Sequence, residues 1–173
     1  MNLLQPDRYF SSLACIDIKH DLLGAGLTHV LLDVDNTVRS RVNDDVPPAV
    51  LMWLARAKEA GVSFCLLSNN WHANVHAFAD ALGMPIVAKA CKPLPFAYGA
   101  AMRRVGGGRG STVAIGDQLT TDVIGAHLAG IPAWLVLPLC DVDVKVTTVM
   151  RSFERAMIGA RQPEGAALTS EKG

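Results

Sequence analysis

Neither sign of charge is in excess in this chain. Its 173 residues carry 16 Lys+Arg against 16 Asp+Glu, so no global field points to nucleic acid or to a strongly acidic or basic partner. The four cysteines, Cys15, Cys65, Cys91 and Cys140, lie far apart and form no CxxC pair. That argues against a zinc knuckle or a dithiol redox motif and fits a reduced, cytoplasmic setting. The opening MNLLQPDRYF lacks a basic segment followed by a long apolar core, so no secretory signal is expected. Long hydrophobic runs are scarce as well. The uncharged 18-residue stretch from Val123 to Cys140 is interrupted by Gly125, Gly130 and Pro132 and carries His127; a helix, a turn and a buried strand explain it better than a membrane span. No internal repeat or low-complexity segment occurs.

What is present is a chain that is half hydrophobic, long enough for one domain with a substantial core. Val30, Leu31 and Leu32 form a short apolar run without polar alternation, the pattern of a strand buried on both faces of a parallel sheet. Pro47-Pro48 opens a helix that runs to Ala60 and stops at Gly61. Val62–Leu67 is a second buried strand, a helix spans roughly 71–82, and Pro85–Ala88 is a third strand. A helix near 95–105 leads through the glycine-rich run 106–110 into a strand over 112–115. That run follows a helix and precedes a strand, the reverse of a phosphate cradle, so it reads as a turn on the far side of the sheet. A helix ending at Gly130 and a fifth strand over 133–137 complete the alternation. The expectation is an α/β, Rossmann-like fold: one central parallel sheet of about five strands flanked by helices. Residues 1–28 read as an N-terminal arm with a short helix, 29–139 as the α/β core, and 140–173 as a C-terminal helix over 146–160 followed by a polar, loose tail.

The polar residues collect where the strands end. Asp33 and Asp35 follow the first core strand, Ser68 the second, Lys92 the loop after the third, and Asp117 the fourth, with Asp122 at the next helix start. Taken alone, Asp35-Asn36-Thr37 is also an ordinary turn sequence. In a parallel sheet, however, all these ends point the same way, at the edge where open α/β sheets bind ligands. Four mutually repelling carboxylates need a cation, and an all-oxygen set without nearby Cys or His favours Mg²⁺ over zinc. A divalent ion plus a lysine implies an anionic substrate, for which phosphate is the natural match. A carboxylate can act as nucleophile, and one two residues on can protonate a leaving oxygen and then activate water.

In this order the motifs DVDNT, SNN, KP and GDQLTTD resemble those of the haloacid dehalogenase (HAD) phosphohydrolase superfamily. Together with the N-terminal LLQPDRY they look like its YqeG-type group, subclass IIIA, which includes phosphatidylglycerophosphate phosphatases. The resemblance implies a phosphatase with Asp33 as nucleophile and Asp35 as general acid/base. It implies Mg²⁺ held by the Asp33 carboxylate, the Asp35 backbone carbonyl and Asp117, with Asp122 as a ligand or as support behind one. Ser68 and Lys92 would hold the phosphoryl oxygens, while Asn69 and Thr37 would support the site. Two features depart from the group: the loop after Thr37 carries Arg39 and Arg41, and the helix after Ser68 lacks basic residues.

Only 30 residues separate Thr37 from Ser68, and 21 separate Asn70 from Lys92, enough for one helix and one strand each and not for a cap domain. An open site suits a phosphate displayed on something large, such as the lipid headgroup of phosphatidylglycerophosphate. Peripheral membrane contact would then fall to the C-terminal helix with Arg151 and Arg155, or to the N-terminal arm. The competing readings are a phosphatase of a soluble phosphomonoester and a non-catalytic phosphate-binding protein. His72 and His76 read as a solvated helix face rather than a metal pair, and Trp71 either lines the pocket mouth or packs beneath it.

Overall fold

The structure, a computed structural model, describes residues 2–71, 74–140, 158–159 and 161–165. Its centre is one six-stranded sheet, all parallel. In chain order the elements are β1 (Arg8–Phe10), β2 (His29–Leu32), α1 (Pro48–Glu59), β3 (Ser63–Leu67), α2 (Asn74–Ala81), β4 (Ile86–Val87), α3 (Phe96–Val105), β5 (Thr112–Gly116), α4 (Ile124–Ala129) and β6 (Ala133–Val136). Across the sheet the order is β1-β6-β5-β2-β3-β4.

Both faces of the strands are covered, and the pleat sorts their side chains into two cores. Val30, Leu32, Phe64, Leu66, Val113, Ile115, Trp134 and Val136 point to the side that holds Trp53 of α1. Leu31, Cys65, Leu67, Ala114, Ala133 and Leu135 point to the side of Tyr98 and Ala101 of α3 and Ala126 of α4. This alternation between two apolar layers explains why the strands read as continuous hydrophobic runs. Trp53 is buried with its indole N–H donating to the Ile16 carbonyl at 2.8 Å, which ties the N-terminal segment to α1. Alanines on the second face let α3 and α4 approach the sheet closely.

The chain leaves β2 toward β3 and β4 on one side, then returns to β5 and β6 on the other. The reversal of direction falls between β2 and β5, and in open α/β sheets the crevice beyond such a point is where ligands bind. The glycine-rich run lies at the opposite ends of these strands. A Cβ on Gly107 would come within 2.7 Å of the Thr112 hydroxyl and 3.1 Å of His29 Cβ, so the turn there depends on a residue without a side chain.

Three expectations change. The sheet has six strands rather than about five, because the N-terminal arm contributes β1, paired with β6 from Arg8↔Trp134 to Phe10↔Val136. Three residues are too few for a periodic signal, so this strand exists through its pairing. The arm's helical part is short turns, Leu13–Cys15, Ile18–Leu22 and Leu23–Ala25. Residues 161–165, expected in a loose tail, run beside β1: the Glu164 N–H donates to the Tyr9 carbonyl at 2.8 Å, and its carboxylate meets Arg8 at 2.5 Å. The proposed apolar stripe of the C-terminal helix, from Val146 to Met157 with Arg151 and Arg155, lies outside the described residues. Among the described residues no helix is long and apolar enough to cross a membrane; Val123–Cys140 holds the end of a turn, α4 and β6. The segment between Thr37 and Ser68 holds α1 and β3, and that between Asn70 and Lys92 holds α2 and β4, so no cap domain is inserted at either place.

Candidate active site

Beyond β2 the backbone keeps its alternation for three more residues. Val34 is fully buried, which turns its neighbours Asp33 and Asp35 the other way, toward the carboxyl edge of the sheet. The turn that follows closes through Asn36. This residue sits at φ 69°, a region that Asn tolerates better than most residues. Its N–H donates to the Arg39 carbonyl at 2.7 Å and its carbonyl accepts from Leu139 at 2.9 Å. Its side-chain oxygen accepts from the Arg41 N–H at 3.2 Å and from the Cys140 thiol at 2.8 Å. Asn36 thus ties the first loop to the segment after β6.

Lys92 organises the centre. Its ammonium bridges Asp33 Oδ1 and Asp122 Oδ1, the latter at 2.6 Å, and its side chain is only 3% exposed. Burial alone would disfavour the charged amine, but the Asp122 and Asp33 carboxylates outweigh it and hold the lysine protonated well above its ordinary range. Asn69 clamps the lysine backbone from both sides, accepting from its N–H at 2.7 Å and donating to its carbonyl at 3.2 Å. The tip of β3 thereby sets the position of a side chain that follows β4.

Asp117 and Asp122 are presented by the end of β5 and a short π-helical turn, Leu119–Val123. Asp122 Oδ2 accepts from the Gln118 N–H at 3.2 Å, so both of its oxygens are engaged. Gly116 makes room for it, since a Cβ there would lie 2.3 Å from the Asp122 carboxyl carbon. Behind the turn, the Tyr98 hydroxyl donates to the carbonyls of Thr121 at 3.0 Å and Asp122 at 3.2 Å. Burial, reinforced by the Asp122 carboxylate, pushes the phenol above its usual range; it is a structural donor.

Asp33, Asp117 and Asp122 each place one carboxylate oxygen within 4.8 Å of the others. The cost of that crowding appears in their protonation. Burial pushes the Asp33 carboxyl up to about 6 against the pull of Lys92, with Asp122 and Asp35 adding to the rise. Asp117 is also pushed well up, by burial first and then by Asp33 and Asp122. Its Oδ1 is buried without a hydrogen-bond partner, an arrangement that native proteins avoid unless something else binds there. An orphaned carboxylate oxygen within an all-oxygen donor set fits a hard divalent cation.

Through Asp33 the cluster meets a pocket of about 250 Å³ lined by Asp33, Asp35, Arg41, Asn69, Asn70, Lys92, Gln118 and Thr121. Asp35 stands on its wall, held by Arg39 through Nε at 3.0 Å and Nη2 at 2.9 Å, with the Asn70 amide at 3.4 Å from its other oxygen. Of the residues expected at the site, Asp33, Asp35, Asn69 and Lys92 line the pocket, and Asp117 and Asp122 converge with Asp33. Ser68 and Thr37, each 1% exposed, do not line it: Ser68 Oγ accepts from the Asn70 N–H at 3.0 Å, and Thr37 Oγ1 is buried without a partner. Roles that the sequence reading did not assign fall to Arg39, Arg41, Gln118 and Thr121. Of the possible histidine pair, His76 is exposed on α2 and His72 lies outside the described residues.

A parallel sheet with a lysine-bridged carboxylate cluster at its point of reversal defines a Rossmann-like α/β protein with a polar site at the carboxyl edge of its strands, and the comparisons with known proteins give its family. Residues 6–130 match the haloacid dehalogenase-like hydrolases, and the chain belongs to that family, on its phosphatase side. It is 33% identical over 136 residues to the Bacillus subtilis (strain 168) protein named "Probable phosphatase YqeG", covering 79% of each chain. Two solved structures share the fold. One is the cobalt-bound form of the deoxy-D-mannose-octulosonate 8-phosphate phosphatase of Haemophilus influenzae, with TM-score 0.53 and 14% identity over 78% of this chain and 88% of that one. The other is an uncharacterized protein from Listeria monocytogenes serotype 4b, with TM-score 0.52 and 18% identity over 73% and 99%.

Proposed function

We propose that the protein is a Mg²⁺-dependent phosphomonoester hydrolase that works through an aspartyl-phosphate on Asp33. The observation that carries this reading is the Lys92 ammonium bridging Asp33 and Asp122 beside the orphaned oxygen of Asp117. Mg²⁺ would be held by Asp33, Asp117 and the Asp35 backbone carbonyl, with Asp122 as support because its oxygens are taken by Lys92 and Gln118. When bound, the ion neutralises phosphoryl charge and the mutual repulsion of the carboxylates.

In the first half-reaction an Asp33 oxygen attacks phosphorus. The bond to the substrate's alcohol oxygen breaks as Asp35 gives that oxygen a proton. In the second, the Asp35 carboxylate takes a proton from water, whose oxygen attacks phosphorus and releases inorganic phosphate from Asp33. Lys92 keeps Asp33 aimed and offsets charge on the phosphoryl oxygens. Arg39 fixes the side chain of Asp35 at the pocket wall, while Asn69 sets Lys92. Ser68, whose Oγ accepts from the Asn70 N–H, steadies the loop that carries Asn69 and Asn70.

Phosphate release from p-nitrophenyl phosphate tests the reading. It should require Mg²⁺, stop with chelator and be lost in Asp33→Asn; absence of turnover on every phosphomonoester tried refutes it.

For the substrate, the site has no cap and its mouth is bordered in sequence by exposed apolar residues. Trp71, next to Asn70, is 69% exposed, and Leu94 and Phe96, just after Lys92, are 50% and 61% exposed. Such groups beside a polar pocket suit a phosphate presented at a lipid surface, and phosphatidylglycerophosphate meets that description. Flotation with anionic liposomes and comparison of this lipid with soluble phosphomonoesters test it. Turnover confined to soluble compounds would replace the lipid by a nucleotide or sugar phosphate.

A further inference from the structure

The two arginines of the first loop have different fates. Arg39 is 4% exposed and fully engaged: it grips Asp35, reaches Asp44 at 3.3 Å, and lies over the Phe78 ring at 5.0 Å. Arg41 is exposed and lines the pocket. Its backbone N–H is pinned to Asn36 Oδ1 at 3.2 Å, yet its guanidinium has no hydrogen-bond or ion-pair partner among the described residues. The acids of its own loop are occupied, Asp44 by Arg39 and Asp45 by the Asn43 amide at 2.6 Å.

Lys92 stands against Asp33, where the scissile phosphate must sit. Arg41 lines the same pocket as Asp33 and Lys92 and adds to its wall a positive charge that no carboxylate among the described residues pairs with. A rooted backbone with an unpaired planar donor beside a phosphate site is suited to recognising a second anion.

We infer that Arg41 is a specificity-determining residue that binds a second anionic group of the substrate, a phosphate or phosphodiester carried on the same molecule as the phosphomonoester that is cleaved. This rests on the phosphatase reading above and narrows its substrate class to bis-anionic phosphomonoesters, soluble or lipid-borne.

The test uses the full chain with Mg²⁺ and matched pairs of substrates. In solution these are n-alkyl phosphates against α,ω-alkanediol bisphosphates of two to five carbons, compared per cleavable group. On phosphatidylcholine vesicles they are phosphatidate against phosphatidylglycerophosphate. Expected is a preference in kcat/KM of about ten- to hundredfold for the bis-anionic member, the range of one charge-assisted contact. Arg41→Gln should collapse that preference toward one and Arg41→Lys should retain part of it. The set in which the preference appears identifies the source of the second anion.

Two results overturn the inference: no preference in either set, or an equal loss on both members of a pair in Arg41→Gln, which would put Arg41 on the scissile phosphate or in a structural role. If the wild-type chain cleaves no phosphomonoester, the phosphatase reading fails separately. Calorimetric affinities for 1,3-propanediol bisphosphate and propyl phosphate, in wild type and Arg41→Gln, then decide the role of Arg41 by the same ratio.

Discussion

Asp33→Asn should make the metal-free protein more stable while abolishing turnover. In the folded state the Asp33 carboxyl titrates at about 6 instead of 3.8, chiefly because burial penalises its charge. That rise corresponds to about 3 kcal/mol of folded-state cost for keeping the group ionised. At low pH the carboxyl is neutral both folded and unfolded, so nothing is lost. The cost begins as pH passes the unfolded value near 4 and is complete once pH exceeds about 6. Asparagine mimics the neutral form in size and removes one of three crowded carboxylates, so the variant should gain up to about 3 kcal/mol at pH 8, or roughly 6–12 °C in Tm for a chain of this size. Urea unfolding of both proteins in chelator at pH 8 and near pH 4.5 measures it. The gain should shrink sharply at the lower pH, and Mg²⁺ should stabilise the wild type more than the variant, because binding to the native site adds stability by mass action. A variant less stable than wild type at pH 8, or a gain independent of pH, would refute this account of the cluster.

Lys92→Met removes the cation from between two buried carboxylates and should cost about 3–5 kcal/mol in chelator, the scale for breaking a buried pair; urea midpoints at pH 8 check it, and loss of turnover should accompany it. Gly116→Ala drives a methyl against the Asp122 carboxyl carbon, 2.3 Å from the new Cβ. It should destabilise by about 1–3 kcal/mol and lower kcat by displacing Asp122, with phosphate release as the readout. Trp53→Phe leaves the buried Ile16 carbonyl without its 2.8 Å donor and should cost about 1–3 kcal/mol with kcat unchanged. Burial holds the Cys65 thiol up at about 11, so at pH 8 a thiol reagent followed by mass spectrometry should modify exposed Cys91 and spare Cys65 until the protein unfolds.

Much of the α/β core was legible before any coordinates. The unalternated runs over Val30–Leu32, Val62–Leu67 and Ala133–Leu137 fall on β2, β3 and β6, because strands sandwiched between two helical layers have no polar face to mark an alternation. Gly61 and Gly106, with left-handed φ of 91° and 70°, punctuate the ends of α1 and α3 as their sequence positions suggest. The edge strand Arg8–Phe10 was not legible, because three residues with an arginine among them carry no period. Only β6 on one side and Glu164 on the other make it a strand.

By itself the sequence determined the chemistry available to this protein: which carboxylates and which lysine end up past the ends of parallel strands, since strand direction follows from the β-α repetition alone. Tertiary structure decided how those groups divide the work. Asp122 is spent on Lys92 and Gln118, Asp117 keeps an unpaired oxygen, Asn69 holds the backbone of Lys92, and Arg39 is locked to Asp35 while Arg41 is left free-standing at the pocket. Such differences arise from distances of a few ångströms between residues far apart in the chain. Hydrogen bonding and desolvation depend on those distances, and a linear pattern does not contain them.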